Sequence, residues 1–393
     1  MARTLPTYAE KPELAELLDK VPLTPAEKAA EPQTTCVTGA TSTIGAHVVR
    51  RLLRAGHTVH APVRGSETTA DVAYLKAMPG AERLKLFYGV DLLIDGSYDA
   101  AMVGCSSVHH VASPFYMCGS KRNIQNKLID PAIKGTENVL GSCSRTPTVK
   151  RVVVTGTVLV ACCDFRPSIN NKDWTITEES WEGDCSPKSF PYVYSKRSAE
   201  KRAMEIAAAQ TQWRLVTLLV AAAFGPPVSS NGQGIVPMFH KYIRLGLFWP
   251  ACPPMGCPMQ DIRDTAVTHC LAMTNTCTGR YIVPQRWGTF YEACRALKSD
   301  SRTSKCMLPF FTFPSYFKPV FAVAAPILGI DKSLPKRTWG ASPKIDYAKT
   351  TTDFDLDAQE FKRIDVMEMM VDTELAFKLH KIPLISASLK RYK

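Results

Sequence analysis

From residue 35 onward, short apolar runs alternate with longer stretches whose apolar positions recur at helical spacing. Thr35 to Thr38 close a first strand. Ile44 to Ala55 follow as a helix, with Ile44, Val48 and Leu52 on one face, Arg50, Arg51 and Arg54 elsewhere, and Gly56 suited to the position just past its end. Further strands are expected at HTVHAPV (57–63), LKLFYGVD (84–91), SVHHVAS (107–113), RVVVTG (151–156) and RLVTLLVAAA (214–223), with long helices around 128–144 and 191–210. Strand–helix alternation of this kind predicts an α/β fold: a doubly wound parallel sheet covered on both faces. Pro62 cannot donate to a central ladder, so it is expected where pairing has already ended.

After GPP (225–227) the pattern changes to loops, short helices and many aromatics, with a return to strand character at RYIV (280–283). A smaller, irregular lobe built mainly from the C-terminal third is expected. Met307 to Ile330 is the most apolar stretch, but Pro309, Pro314, Lys318, Pro319 and Pro326 break it. It is too interrupted to span a bilayer and reads as a proline-punctuated core segment, with contact at a membrane surface as the other reading.

Composition narrows the classes. The 393 residues suffice for one large or two modest domains, and 45% hydrophobic with 21% charged is ordinary for a globular protein. The 13 cysteines have no regular spacing and form no CxxC pair, which argues for a reducing compartment and against a disulfide framework or a zinc site. No metal is expected. The N-terminus has no apolar core of signal-peptide length, and its acidic residues argue against a transit peptide, so a cytoplasmic protein without stable membrane insertion is expected. The net charge of +12 is spread in small clusters such as Lys121-Arg122 and Lys201-Arg202, without an aromatic-basic stripe. No nucleic-acid partner is expected.

Four constellations carry candidate chemistry. VTGATSTIG (37–45) sits between the first strand and its helix, where backbone N–H groups and a helix N-terminus face a pyrophosphate in dinucleotide folds. Gly39 supplies a tight turn and Gly45 close helix–strand packing, while Ser42 stands where a third glycine is usual. Alone, this loop reads equally well as an ordinary turn capping a helix. Arg64 ends the second strand, where an arginine accommodates a 2′-phosphate, so NADPH is favoured over NADH, with Glu67 nearby as the competing signal. In YVYSK, Tyr192 and Lys196 are four residues apart and share a helix face. An ammonium lowers the pKa of a phenol, making the pair a tunable general acid. Thr157, just past the fifth strand, offers a hydroxyl to a carbonyl oxygen, though it also reads as a β-branched strand end.

The chain resembles the extended short-chain dehydrogenase/reductases of the dihydroflavonol reductase and cinnamoyl-CoA reductase-like group. The resemblance covers most of residues 35 to 355, through VTGATSTIG, TVHAPVR, GVDLLIDGSYDAAMVGCSSVHHVASP, IDPAIKGTENVLGSC, RVVVTGT, YVYSK, FGPP, DIRDTAVTHCLAM and GRYIV, in order. It implies a Rossmann-type sheet and a 34–228 plus 259–285 NADP-binding domain. The substrate-binding lobe would be 229–258 plus 286–384, flanked by a polar N-terminal extension (1–33, with a short helix near Pro12 to Asp19) and a basic tail (385–393). It places NADP(H) against Gly39, Thr41, Ser42, Ile44, Gly45, Arg64, Asp91, Leu92, Val111, Ala112 and Ser113, with Tyr192 and Lys196. Thr157, Tyr192 and Lys196 fall on the catalytic triad, and Phe115, Tyr116, Met117 and Phe190 are expected pocket walls, though each reads equally well as core. Ser42 replaces the family's middle glycine, Thr157 its usual serine, and Leu219-Val220 an Asn-Pro ahead of FGPP.

The expected activity is NADPH-dependent reduction of a small-molecule aldehyde, ketone or acyl-CoA carbonyl, by a monomer or homodimer. A non-catalytic NADP-binding scaffold or regulatory protein, and an enzyme of hydroxysteroid oxidation or sugar-nucleotide chemistry, are the alternatives.

Overall fold

Val- and Thr-rich runs form the strands: β1 Thr34–Thr38, β2 Thr58–Pro62, β3 Leu84–Phe87, β4 Ser107–His110, β5 Arg151–Thr157, β6 Thr175–Ile176, β7 Arg214–Val220, β8 Ala222–Phe224, β9 Ala251–Cys252, β10 Gly256–Asp261, β11 Gly279–Ile282, β12 Arg286–Thr289, β13 Phe311–Thr312 and β14 Lys344–Ile345. They belong to a computed structural model that describes residues 11–68, 72–114, 123–229, 246, 249–303, 308–324 (without the side chain of Ala324) and 334–380. Seven strands form one all-parallel sheet in the order β11-β7-β5-β4-β1-β2-β3. The chain runs outward through β2 and β3, then crosses to β4 on the other side of β1. The order therefore reverses between β1 and β4, and ligands of such sheets bind at that switch point, beyond the carboxyl ends of the strands.

Burial explains the strand composition. Cys36, Val37, Val59, Val108, Val152, Val153, Val216 and Leu218 have no exposed surface, because helices cover both faces of the sheet. Pairing of β2 with β1 ends at His60, two residues before Pro62, but Pro62 still stands opposite Phe87 of β3, so pairing has not ended there and the missing N–H costs the sheet only on its β1 side. The expected sixth strand, 214–223, divides in two. At Ala221 the backbone N–H donates to Gln260 Oε1 at 3.0 Å, and the chain leaves the large sheet to pair with β10 in a three-stranded one, β12-β10-β8. The lobe boundary expected at residue 259 falls inside β10, a single strand.

The described part of the segment ahead of β1, from residue 11 on, packs on the sheet domain. Helices α1 (Pro12–Asp19) and α2 (Pro25–Ala29) pack on α3 (Thr43–Arg54), and Leu14 and Leu18 join Val48, Val49 and Leu52 in one core. Arg50 donates to the Leu18 carbonyl at 2.8 Å, and buried Arg51 pairs with buried Glu27 at 2.5 Å. Sequence polarity misled here because arginines on α3 that look solvent-directed are consumed by this segment.

The stretch expected as a core segment, 307–330, also differs where it is described. Phe310, Phe311, Tyr316, Val320 and Val323 are exposed. Among the described residues, no helix is long and apolar enough to cross a membrane.

Candidate active site

The turn after β1 is built by backbone proximity. Gly39 has φ 68°, and a Cβ there would lie 2.8 Å from the Ala112 nitrogen, so no other residue fits without moving β4. A Cβ on Gly45 would lie 2.2 Å from the Gly39 carbonyl oxygen. Ser42 is the N-cap of α3: its Oγ accepts from Gly45 N at 3.0 Å, and its backbone N–H donates to Gly39 O at 2.8 Å. The serine thus closes the turn from inside, while Thr41 and Ser42 stay exposed at the N-terminal end of the helix and Ile44 packs partly into the core. A hydroxyl that accepts keeps its proton to donate.

Thr38 fixes the two strands that flank the switch point. Its Oγ1 accepts from Ala112 N at 3.1 Å and lies 3.0 Å from Nδ1 of His110, at the end of β4. Val111, Ala112 and Ser113 follow, half-buried. Sequence reasoning missed Thr38 and His110, although both stand in the motifs it quoted. The roles depend on two strand ends meeting, which no local pattern records.

On the other side of β1, Arg64 is exposed at the end of β2, and Glu67 pairs with Lys76 at 3.5 Å rather than with Arg64. Asp91 and Leu92 follow β3 on a loop held from several sides. Asp91 Oδ1 accepts from Leu93 N at 2.8 Å, and its own N–H donates to Ser97 Oγ at 2.8 Å. Leu92 lies under Gly135 of α6 (Asp130–Arg145), where a Cβ would be 2.5 Å from Leu92 Cγ, and its carbonyl accepts from Asn138 at 2.9 Å.

Thr157 ends β5, is 7% exposed, and its Oγ1 accepts from Leu159 N at 3.4 Å. Leu159 and half-buried Tyr192 pack against the same small core of Cys163, Phe190 and Val193. That core brings the strand end to α8 (Pro191–Ala208), whose first turn carries Tyr192. Phe190, expected as a pocket wall, is 1% exposed and caps α8 in the left-handed region (φ 61°), a costly conformation for a non-glycine residue. It supports Tyr192 from below. Phe115, Tyr116 and Met117 lie outside the described residues.

Lys196 Nζ lies 5.9 Å from the centre of the Tyr192 ring. The expected lowering of the tyrosine pKa is not what this geometry gives: burial dominates and pushes the phenol up, so it holds its proton. Burial also moves Lys196 down to about 8, against the opposing pull of Glu200. Glu200, one turn further along α8, is buried and pairs with Arg280 at 2.7 Å, and Arg280 stacks on Trp181 at 3.9 Å. Burial pushes His110 down to about 3, with Lys196 adding to the effect, so the imidazole beside Thr38 is neutral. Glu200 and Arg280 were legible only as surface-type charges. Among the described residues there is no cluster of three metal-ligating side chains.

Leu219 and Val220, in place of Asn-Pro, continue β7 so that Val220 pairs opposite Thr157. Leu219 is buried against Val158, Val160 and Ile282, and its carbonyl accepts from Gln285 at 3.3 Å.

The family model described as "NAD dependent epimerase/dehydratase family" matches residues 35–276. A cinnamoyl-CoA reductase of Medicago truncatula is 34% identical over 271 residues, covering 67% of this chain and 79% of that one. A dihydroflavonol 4-reductase of Callistephus chinensis is 29% identical over 324 residues, covering 81% and 82%. Among solved structures, Gre2 of Candida albicans in complex with NADPH superposes with a TM-score of 0.68 at 21% identity, over 89% of this chain and 99% of that one, a likeness of fold.

Proposed function

Because the chain belongs to the NAD dependent epimerase/dehydratase family, as an extended short-chain dehydrogenase/reductase of the dihydroflavonol and cinnamoyl-CoA reductase-like group, we propose that it is an NADPH-dependent reductase of an aldehyde, ketone or acyl-CoA carbonyl, with Tyr192 as proton donor. The single observation that carries this reading is the placement of a half-buried, protonated Tyr192 with its ring centre 5.9 Å from the Lys196 ammonium on the first turns of α8, packed through Leu159 to the Thr157 strand end.

The residues present suit a dinucleotide. The α3 N-terminus opens past a turn that excludes any side chain at Gly39 and Gly45, which lets a pyrophosphate come close to the backbone at the start of the helix. Arg64 would meet a ribose 2′-phosphate, since the one nearby carboxylate in sequence, Glu67, faces Lys76. Asp91 and Leu92 would flank the adenine, and Val111 to Ser113 the nicotinamide half. When bound, the cofactor supplies the hydride that reduces the carbonyl carbon.

The chain's own residues do the rest. Thr157 Oγ1 accepts from Leu159 N, which leaves its proton to donate to the carbonyl oxygen. Tyr192 holds its proton because burial disfavours the phenolate, and it releases that proton only as negative charge develops on the oxygen. Lys196, charged below about pH 8, stabilises the phenolate left behind. Glu200 and Arg280 keep that ammonium in an electrostatically balanced setting.

The test is consumption of NADPH by the purified chain over a panel of aldehydes, ketones and CoA esters. Turnover with at least one class supports the reading. Cofactor binding without turnover of any class would replace it with a non-catalytic role.

A further inference from the structure

Six of the twelve large apolar side chains that stand exposed among the described residues gather in one part of the lobe: Trp249, Phe310, Phe311, Tyr316, Val320 and Val323, each between 49% and 77% exposed. The fold brings them together. Strands β9 and β13 pair in parallel, Phe310 N donates to Pro250 O at 2.9 Å, and this sets Trp249 beside Phe310 and Phe311. Phe313 then packs on Phe317 and Phe321 at 5.0 and 5.1 Å, and Phe321 on Trp339 at 5.5 Å. This inner aromatic layer anchors the helix Lys318–Ala324, which turns Val320 and Val323 outward. Exposed apolar residues scattered singly need no explanation, but a contiguous group of this size, backed by packed rings, marks a contact surface.

The charge around it selects the occupant. The described stretches that carry these side chains, 249–260 and 308–324, contain Lys318 and no Asp or Glu. Lys298 Nζ lies 4.9 Å from the Phe310 ring, and Arg302 is paired with Asp300 at 2.7 Å. A second copy of the chain is the poorer partner. A two-fold contact would set Lys298 and Lys318 of both copies together, on chains that each carry +12. Trp, Tyr and Phe with aliphatic tips and flanking lysines suit the headgroup boundary of an anionic bilayer.

We infer that this face, Trp249 with Phe310 to Val323, docks peripherally on an anionic membrane surface. The helix Leu334–Thr338, tied to the inner layer through the adjoining Trp339, carries Leu334, which packs in the small core that holds Tyr192, so the docked face adjoins the candidate site. The contact does not depend on the chain reducing a carbonyl.

The test is co-sedimentation of the full chain with vesicles of phosphatidylcholine alone and of phosphatidylcholine with phosphatidylserine. Wild type is compared with the Val320→Glu/Val323→Glu double variant, whose exposed positions leave the thermal midpoint unchanged. The expected result is at least tenfold stronger partition onto the phosphatidylserine vesicles, weakened by added salt, and a tenfold or greater loss in the variant. No partition at low salt, or equal partition by the variant, overturns the inference. So does a dimer in sedimentation velocity that the substitutions dissociate, which would make the face a chain–chain contact.

Discussion

Lys196 and Glu200 stand one helical turn apart on α8, and the carboxylate that faces the lysine is also bound to Arg280 at 2.7 Å. Burial pulls the lysine down to about 8 while Glu200 pulls it up. The ammonium is therefore present below about pH 8 and lost above it, whereas Tyr192 keeps its proton through that range. The rate of carbonyl reduction should fall on the alkaline side with an apparent midpoint near 8. Glu200→Gln removes the charge that raises the lysine, so that limb should move to lower pH. A pH–kcat/KM profile checks both, and an unmoved limb in the variant would show that Glu200 is only structural.

Arg64 is exposed at the end of β2, and Glu67 is turned to Lys76. Arg64→Ala should weaken NADPH roughly ten- to a hundredfold, the scale of one charged hydrogen-bonding partner, and leave NADH nearly unchanged. Fluorescence titration with each cofactor measures it. An equal loss for both would place Arg64 away from the 2′-phosphate.

Gly39 combines φ 68° with a Cβ position 2.8 Å from Ala112 N. Gly39→Ala should cost about 1–3 kcal/mol of stability through backbone strain, with further loss as β4 is pushed away. Cofactor affinity should fall with it. A thermal melt and an NADPH titration of the same sample check the coupling.

Much of this was readable along the chain. The strand starts, the glycine turn and the Tyr192–Lys196 spacing are local patterns, and the parallel sheet follows from their alternation. The failures are non-local. Phe190 read equally as pocket wall or core, and only its left-handed backbone at the start of α8, where it is buried, decides for the core. Arg51, off the apolar face of its helix, is buried because Glu27, from ahead of β1, reaches it. Thr38 became a site residue only when Ala112 and His110 arrived from β4. Ser42 stands where a third glycine is usual, and it is the helix cap.

Buried histidines set an acid limit. Burial moves His47 down to about 4 and His110 and His269 to about 3, against an ordinary value near 6.5. The unfolded chain takes up these protons below about pH 6.5, and the folded chain does not until far lower. Stability should therefore drop as pH falls from 6.5 toward 4, and the thermal midpoint at pH 5 should lie clearly below that at pH 7. A midpoint that is flat over this interval would mean these imidazoles titrate freely in the fold.

The most direct test of the central claim is the Tyr192→Phe variant, assayed for turnover and titrated with NADPH side by side with wild type. Loss of the proton donor should lower kcat by about 10²–10⁴-fold, the usual contribution of a positioned general acid, with the NADPH Kd essentially unchanged. Full turnover in the variant would contradict the account, because the protonated phenol beside Lys196 would then have no part in the reaction.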